Sequence, residues 1–126
     1  MILGLGTDIC GIARVGEYLE RYGERFTRRC FTPGEIAYCQ AHKNQAEQFA
    51  ARIAAKEAAS KALGTGWRQG VHWKCFEVAS QPSGKPTLRI HGRAAELASQ
   101  MGVSNAHVSL THDGGVAVAI VIFEGE

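Results

Sequence analysis

The sequence has no apolar run approaching the ~20 residues needed to cross a bilayer, and its first residues do not have the form of an export signal. Its four cysteines, Cys10, Cys30, Cys39 and Cys75, show no CxxC spacing and no pairing with histidine at metal-ligand distance. A zinc site and a disulfide framework have no support, and free thiols in the cytoplasm are the expectation. Excess charge is also scarce: a net charge of +2 is too small to argue for nucleic-acid binding in general, so the local clustering of charge carries more information than its total. Internal repeats and low-complexity tracts are missing as well.

What is present is an ordinary globular composition, 45% hydrophobic and 21% charged over 126 residues, long enough for one core and too short for two full domains. One domain spanning residues 1–126 is expected. The segment from Gln45 to Gly66 reads as one long helix, stopped by Gly64-Thr65-Gly66. Ala46, Phe49, Ala50 and Ile53 recur at helical steps, and the same stripe continues through Glu57 to Ser60, Lys61 and Gly64. A carboxylate therefore stands where an apolar residue belongs, with Lys56 beside it and Lys61 one turn further on. An ordinary surface ion pair between Glu57 and Lys61, worth ~0.3–0.5 kcal/mol, accounts for the same spacing, and the helix alone does not separate the two readings.

The opening ILGLGTDIC has the mix of apolar residues and glycine that suits a strand closely approached by another element. Asp8 lies inside it. Either it is paired or metal-bound, because an isolated buried charge is too costly, or it is a turn or cap residue where the strand ends before Gly11. Residues 12 to about 29 are helical in pattern with a break at Gly23, and Arg14, Arg21, Arg25 and Arg28 would share one face of a continuous helix. Such a face meets an acidic partner or is simply solvated and offset by Glu17, Glu20 and Glu24. Thr32-Pro33-Gly34-Glu35 has the form of a capping box and starts a new helix. Two strands, Trp73 to Ala79 and Thr87 to His91, form a hairpin with a loose turn at residues 81–86, and Gly92 to Met101 has helical spacing. Two further strands meet at Asp113-Gly114-Gly115; in the first, His107, Ser109 and Thr111 make one wholly polar face just before His112.

Together LGTDI, FTPGEIAYC, AAKEAASKALGTG and HVSLTHD, in this order over most of the chain, resemble the holo-acyl-carrier-protein synthases, the small phosphopantetheinyl transferases. The resemblance implies a small α+β single domain, a long central helix packed on antiparallel strands, assembled as a homotrimer with active sites between neighbours. It implies an enzyme that moves 4′-phosphopantetheine from coenzyme A to a serine of apo-acyl carrier protein, releasing adenosine 3′,5′-bisphosphate, with no nucleic-acid or membrane partner. Asp8 and Glu57 match the family's magnesium ligands, a pair of oxygen donors of the kind Mg²⁺ takes alongside substrate phosphates. Lys61 matches a pyrophosphate contact, with Gly64, Thr65 and Gly66 lining the same pocket. Arg52, His107, Ser109, Thr111 and His112 match coenzyme A contacts, some across the subunit boundary, and the arginines at 14, 21, 25 and 28 match the carrier-docking helix. The proton of the serine has three candidate acceptors, Glu57 through a water, His112 and Asp113. Members of the family often have serine and then tyrosine in the closing motif where this chain has Thr111 and Val116, which keeps the hydroxyl and changes the packing on that side of the pocket. Two rival readings are a non-catalytic oligomeric module binding acidic proteins or RNA through the arginine face, and another Mg²⁺-dependent phosphodiester enzyme.

Overall fold

In the computed structural model, which describes residues 1–126, the opening segment forms strand β1, Ile2–Gly11. Helices α1, Ile12–Tyr22, and α2, Glu24–Cys30, follow, separated by Gly23 at φ 52, a conformation open to glycine at little cost. The arginine row is therefore split, with Arg14 and Arg21 on α1 and Arg25 and Arg28 on α2. Helix α3, Pro33–Gln40, starts from the expected capping box: Glu35 donates its backbone N–H to the Thr32 hydroxyl while its carboxylate accepts from the Thr32 N–H. Helix α4, Gln45–Leu63, ends at Gly64 in the left-handed conformation. Strands β2, Phe76–Ser80, and β3, Pro86–Ile90, form a hairpin preceded by a single 3₁₀ turn at Trp73–Cys75. Helix α5, Gly92–Met101, leads to strands β4, Asn105–Asp113, and β5, Val116–Glu124.

The main sheet has the order β1-β5-β4, antiparallel throughout, so the last strand lies between the first and its own hairpin partner. Its two faces differ. Ala117, Ala119, Val121 and Phe123 point at α4 and are buried, whereas Leu5, Ile9 and Ile120 on the opposite face are 63%, 59% and 43% exposed. The polar row His107, Ser109 and Thr111 belongs to that same outer face, because Ser109 is registered against Ile120 and Thr7.

The middle of α4 is buried almost all round, and this departs from the sequence reading. Of the expected inward stripe, Phe49, Ala50 and Ser60 are buried, but its line through Ile53, Glu57 and Lys61 is the more open side of the helix middle: Ile53 and Glu57 are half-buried and Lys61 is exposed. The core side is made by Ala51, Ala54, Ala55, Ala58, Ala59 and Ala62. Alanine repeats this closely spaced give helical periodicity no contrast to read, since polar and apolar faces differ by little side-chain volume. Their small size lets α4 sit directly on the sheet. The approach is closest at two glycines, where a Cβ on Gly4 would stand 2.1 Å from the Ala62 carbonyl oxygen and one on Gly6 1.8 Å from that of Ala58. Gly6→Ala is accordingly expected to cost about 3 kcal/mol in a urea titration, at the top of the range for overpacking or beyond it. Gly11→Ala, whose Cβ would meet only the Arg14 side chain at 3.9 Å, serves as the near-neutral comparison.

Candidate active site

The glycine contacts decide where Asp8 stands. Gly4 lies on Ala62 and Gly6 on Ala58, so the next residue of β1 with the same orientation, Asp8, is carried to the flank of α4 one turn nearer its start. Asp8 is a mid-strand residue paired with Ala119, not the turn or cap residue that the sequence left open. Its charge is felt at Glu57: burial first, then Asp8, pushes the Glu57 carboxyl above the usual carboxylate range, while the indole N–H of Trp67 and the cations Lys61 and Arg14 pull in the other direction. Two carboxylates from different elements thus share one spot on the surface of the fold.

Lys61, one turn beyond Glu57, does not form the helix-surface pair with it. Its ammonium donates instead to Asp8 Oδ1 at 3.0 Å and to the Thr7 carbonyl at 3.1 Å. After Lys61 the chain turns sharply, and the N–H groups of Gly64 and Gly66 are spent on the helix end, both donating to the Ser60 carbonyl. Thr65 is buried, with its hydroxyl donating to the Gly66 carbonyl at 2.8 Å. The Gly64-Thr65-Gly66 turn thereby closes the end of α4 just before Trp67, with open space at its two glycines.

A second group of candidate residues lies toward the start of α4. The Arg52 guanidinium stacks on the Tyr38 ring with Cζ 4.2 Å from the centroid, and it donates from Nη1 to the Gln48 carbonyl at 3.4 Å. Its Nε is buried without a partner. Arg52, Gln48, Ser80, Pro86 and His112 border a cavity of about 200 Å³. A guanidinium lining a cavity is suited to an anion, while its enclosed Nε faces protein. His112 pairs with Glu47, Nε2 to Oε1 at 3.2 Å, and Glu47 precedes Glu57 by ten residues, about 15 Å along the helix axis. Within one chain, His112 and the neighbouring Asp113 are therefore not brought to Glu57.

His107, Ser109 and Thr111 form a third group on the outer sheet face, separated by the sheet from both of the others. His107 meets Glu124, Nε2 to Oε1 at 3.0 Å, and holds its carboxyl below the usual range. The arginine candidates are dispersed: only Arg25 lines the aromatic groove of α1 and α2, while Arg14 borders the cavity that contains Glu57. Tyr18, Tyr22, Arg25, Phe26 and Arg29 line a cavity of about 410 Å³, with Arg25 over the Tyr22 ring, while Arg28 is engaged with Glu24 at 3.3 Å.

Two features escaped the sequence reading. Lys56, beside Glu57 in the chain, is completely buried, and its ammonium donates to Glu35 Oε1 at 2.7 Å, to the Trp73 carbonyl at 3.1 Å and to the Phe76 carbonyl. The available signal was Arg52, Lys56 and Ser60 at four-residue steps within an alanine run, three polar residues on one helix row, all buried. Trp67 is the other; it stacks on Trp73 with ring centroids 4.2 Å apart and presents its N–H to Glu57. Nothing in the loop sequence gives that orientation.

A family model described as the 4′-phosphopantetheinyl transferase superfamily matches residues 4–121. The holo-[acyl-carrier-protein] synthase of Solibacter usitatus is 51% identical to the chain, covering 98% of it and 99% of the relative. That of Edwardsiella ictaluri is 50% identical, covering 98% of each. Among solved structures, the holo-[acyl-carrier-protein] synthase of Neisseria meningitidis superimposes with a TM-score of 0.88 at 31% identity, over 98% of this chain and 99% of the other. That of Helicobacter pylori, solved in complex with coenzyme A, gives 0.84 at 28% identity, over 95% and 99%.

Proposed function

The chain belongs to the 4′-phosphopantetheinyl transferase superfamily as a holo-[acyl-carrier-protein] synthase, and from that premise we propose that it is a Mg²⁺-dependent enzyme moving 4′-phosphopantetheine from coenzyme A to an apo-acyl carrier protein. The observation that carries the reading is the meeting of Asp8 and Glu57 beside Lys61 at the crossing of β1 and α4. The donor set fits magnesium: two carboxylates, no nitrogen or sulfur ligand, and like charges close enough to raise one carboxyl's pKa. Asp8 and Glu57 would hold the ion. When bound it supplies positive charge to the pyrophosphate oxygens of coenzyme A, where negative charge builds during transfer.

The remaining work falls to side chains of this protein. Lys61 offers a flexible ammonium to the pyrophosphate, and the glycine turn at 64–66 leaves room for it. Arg52 takes an anionic group of coenzyme A through the part of its guanidinium that lines the cavity shared with His112. The serine Oγ of the carrier forms its bond to phosphorus as the bond to the adenosine 3′,5′-bisphosphate oxygen breaks. The serine proton goes to Glu57 through a water; within one subunit His112 is held at Glu47, ten residues along α4 from Glu57. Three copies of the chain complete the site. The support is the outer sheet face, where exposed Leu5, Ile9 and Ile120 adjoin the polar row His107, Ser109 and Thr111, an apolar surface suited to burial against a neighbour. The enzyme works in the cytoplasm, a reading supported by four free cysteines, and no helix is long and apolar enough to cross a membrane.

The deciding experiment incubates the protein with coenzyme A, Mg²⁺ and several apo-carrier proteins and follows the carrier by mass spectrometry. Addition of one phosphopantetheine group supports transfer, and no mass change with any carrier refutes it. Carrier docking is assigned to Arg14 and Arg21 on α1 together with the aromatic groove that α1 and α2 share. Reversing both to glutamate should raise the KM for an acidic carrier by about tenfold or more; Arg21→Glu alone should raise it at unchanged affinity for coenzyme A, because Arg21 lies two turns along α1 from Arg14, whose charge reaches Glu57. Unaltered carrier kinetics would place the docking surface elsewhere.

A further inference from the structure

Lys61 is the one cation on the Asp8 carboxylate, and it reaches Asp8 from the helix that also presents Glu57. The contact is loose: the Lys61 side chain is 54% exposed and that of Asp8 22% exposed, so the pair is of the easily broken surface kind. Its second acceptor, the Thr7 carbonyl, fixes the ammonium over β1 rather than over the helix. An ammonium has no lone pair to offer a metal, and it occupies an oxygen that the metal reading of Asp8 requires. A divalent cation entering between Asp8 and Glu57 must compete with it for Asp8 Oδ1 and is repelled by it at short range.

We propose that Lys61 is an exchangeable counter-ion: it neutralises Asp8 in the ligand-free enzyme and transfers to the anionic oxygens of the pyrophosphate when metal and coenzyme A enter together. The inference rests on the assignment of Asp8 and Glu57 as metal ligands. Its consequence is a coupling between the two ligands. Metal alone must displace Lys61 with nothing to receive the ammonium, and coenzyme A alone meets a lysine already engaged. Bound together, each improves the affinity of the other by the same factor, as linkage requires. A lysine that merely touched phosphate would make a different prediction, because removing it would leave metal affinity in the absence of coenzyme A untouched.

The test is a Mn²⁺ titration followed by electron paramagnetic resonance of the free ion, which reads binding rather than turnover. It is made on wild type, Lys61→Met, Lys61→Arg and Asp8→Asn, each with and without coenzyme A. Lys61→Met should bind Mn²⁺ about 3- to 5-fold more tightly than wild type without coenzyme A, the value of a surface ion pair expressed as an affinity ratio. In the same variant, the gain in Mn²⁺ affinity on adding coenzyme A should shrink. Lys61→Arg, which keeps the cation, should retain the wild-type affinity in the absence of coenzyme A. Equal or weaker Mn²⁺ binding by Lys61→Met, with Asp8→Asn still lowering the affinity, overturns the counter-ion role and leaves the metal assignment standing. Mn²⁺ binding indifferent to Asp8→Asn overturns both.

Discussion

Glu57→Gln enzyme is expected to fold normally and to lose about 10²- to 10³-fold in kcat/KM for carrier modification, the scale on which removal of one preorganised charged group from a reacting centre is felt. The amide preserves the shape of the side chain and can still face the Trp67 indole, so the loss reports charge rather than packing. The same substitution should not destabilise the protein. Burial, and after it the charge of Asp8, raises the Glu57 carboxyl above its ordinary range. The folded chain then holds that proton to a higher pH than the unfolded chain does. Stability from this group is present below the unfolded pKa and is lost as the pH rises through the folded one. At neutral pH the ionised Glu57 is therefore a cost, and glutamine removes it. The Tm of Glu57→Gln at pH 7 should equal or exceed that of wild type, with the difference closing as the pH falls below the titration of Glu57. Wild-type turnover would remove Glu57 from the reaction, and a Tm well below wild type would mean that its charge is stabilising. Opposed effects on rate and stability are what a half-buried carboxylate held beside a second one should give.

The largest effect on stability is expected next door, at Lys56. Its ammonium is fully buried and has acceptors for all three of its hydrogens, at Glu35 and at the Trp73 and Phe76 carbonyls. Glu35 is equally committed, accepting also from the N–H groups of Thr32 and Val78, both at 3.0 Å. The pair joins α3, α4 and the β2 hairpin by a polar link inside the apolar core that Cys39, Phe49, Phe76 and Val78 also share. Lys56→Met strands a buried carboxylate and should cost about 3–5 kcal/mol, a large share of the 5–15 kcal/mol that holds a domain of this kind together. Adding Glu35→Gln to that variant removes the stranded charge and keeps an acceptor for one of the two N–H groups, which Glu35 serves with separate oxygens. The double variant should recover at least about 1 kcal/mol over Lys56→Met in urea denaturation, since contacting residues do not act additively. A loss below about 1 kcal/mol for Lys56→Met would show that the pocket reorganises or admits water, and the pair would not be holding these elements together.

The local elements were legible because each carries its own signal over a few residues. The Thr32 capping box, the break at Gly23, the Gly64 stop and the turn at Gly114 and Gly115, at φ 59 and 83, all follow from the backbone freedom or side-chain chemistry of the residues concerned. The two glycines in β1 likewise announced a close approach, and α4 makes it. The facing of α4 is not legible, because an alanine-rich helix buried nearly all round offers no periodic contrast: spacing points the stripe through Ile53 and Glu57 at the core, and the fold leaves it the more open one. The burial of Lys56 was hidden for the same reason.

The carboxylate that opened the functional question shows the division most clearly. The sequence by itself determined that Glu57 stands on a long helix one turn before Lys61, that Asp8 lies in an apolar strand, and that both fall in motifs resembling those of a phosphopantetheinyl transferase. Only the tertiary structure decided that Lys61 turns to Asp8, that Arg52 and His112 share a separate cavity, and that the polar row of β4 lies behind the sheet. Spacing along a chain fixes which side chains can meet within one element. Meetings between elements depend on where backbones can approach, and here that is set by Gly4 and Gly6 against the carbonyls of α4.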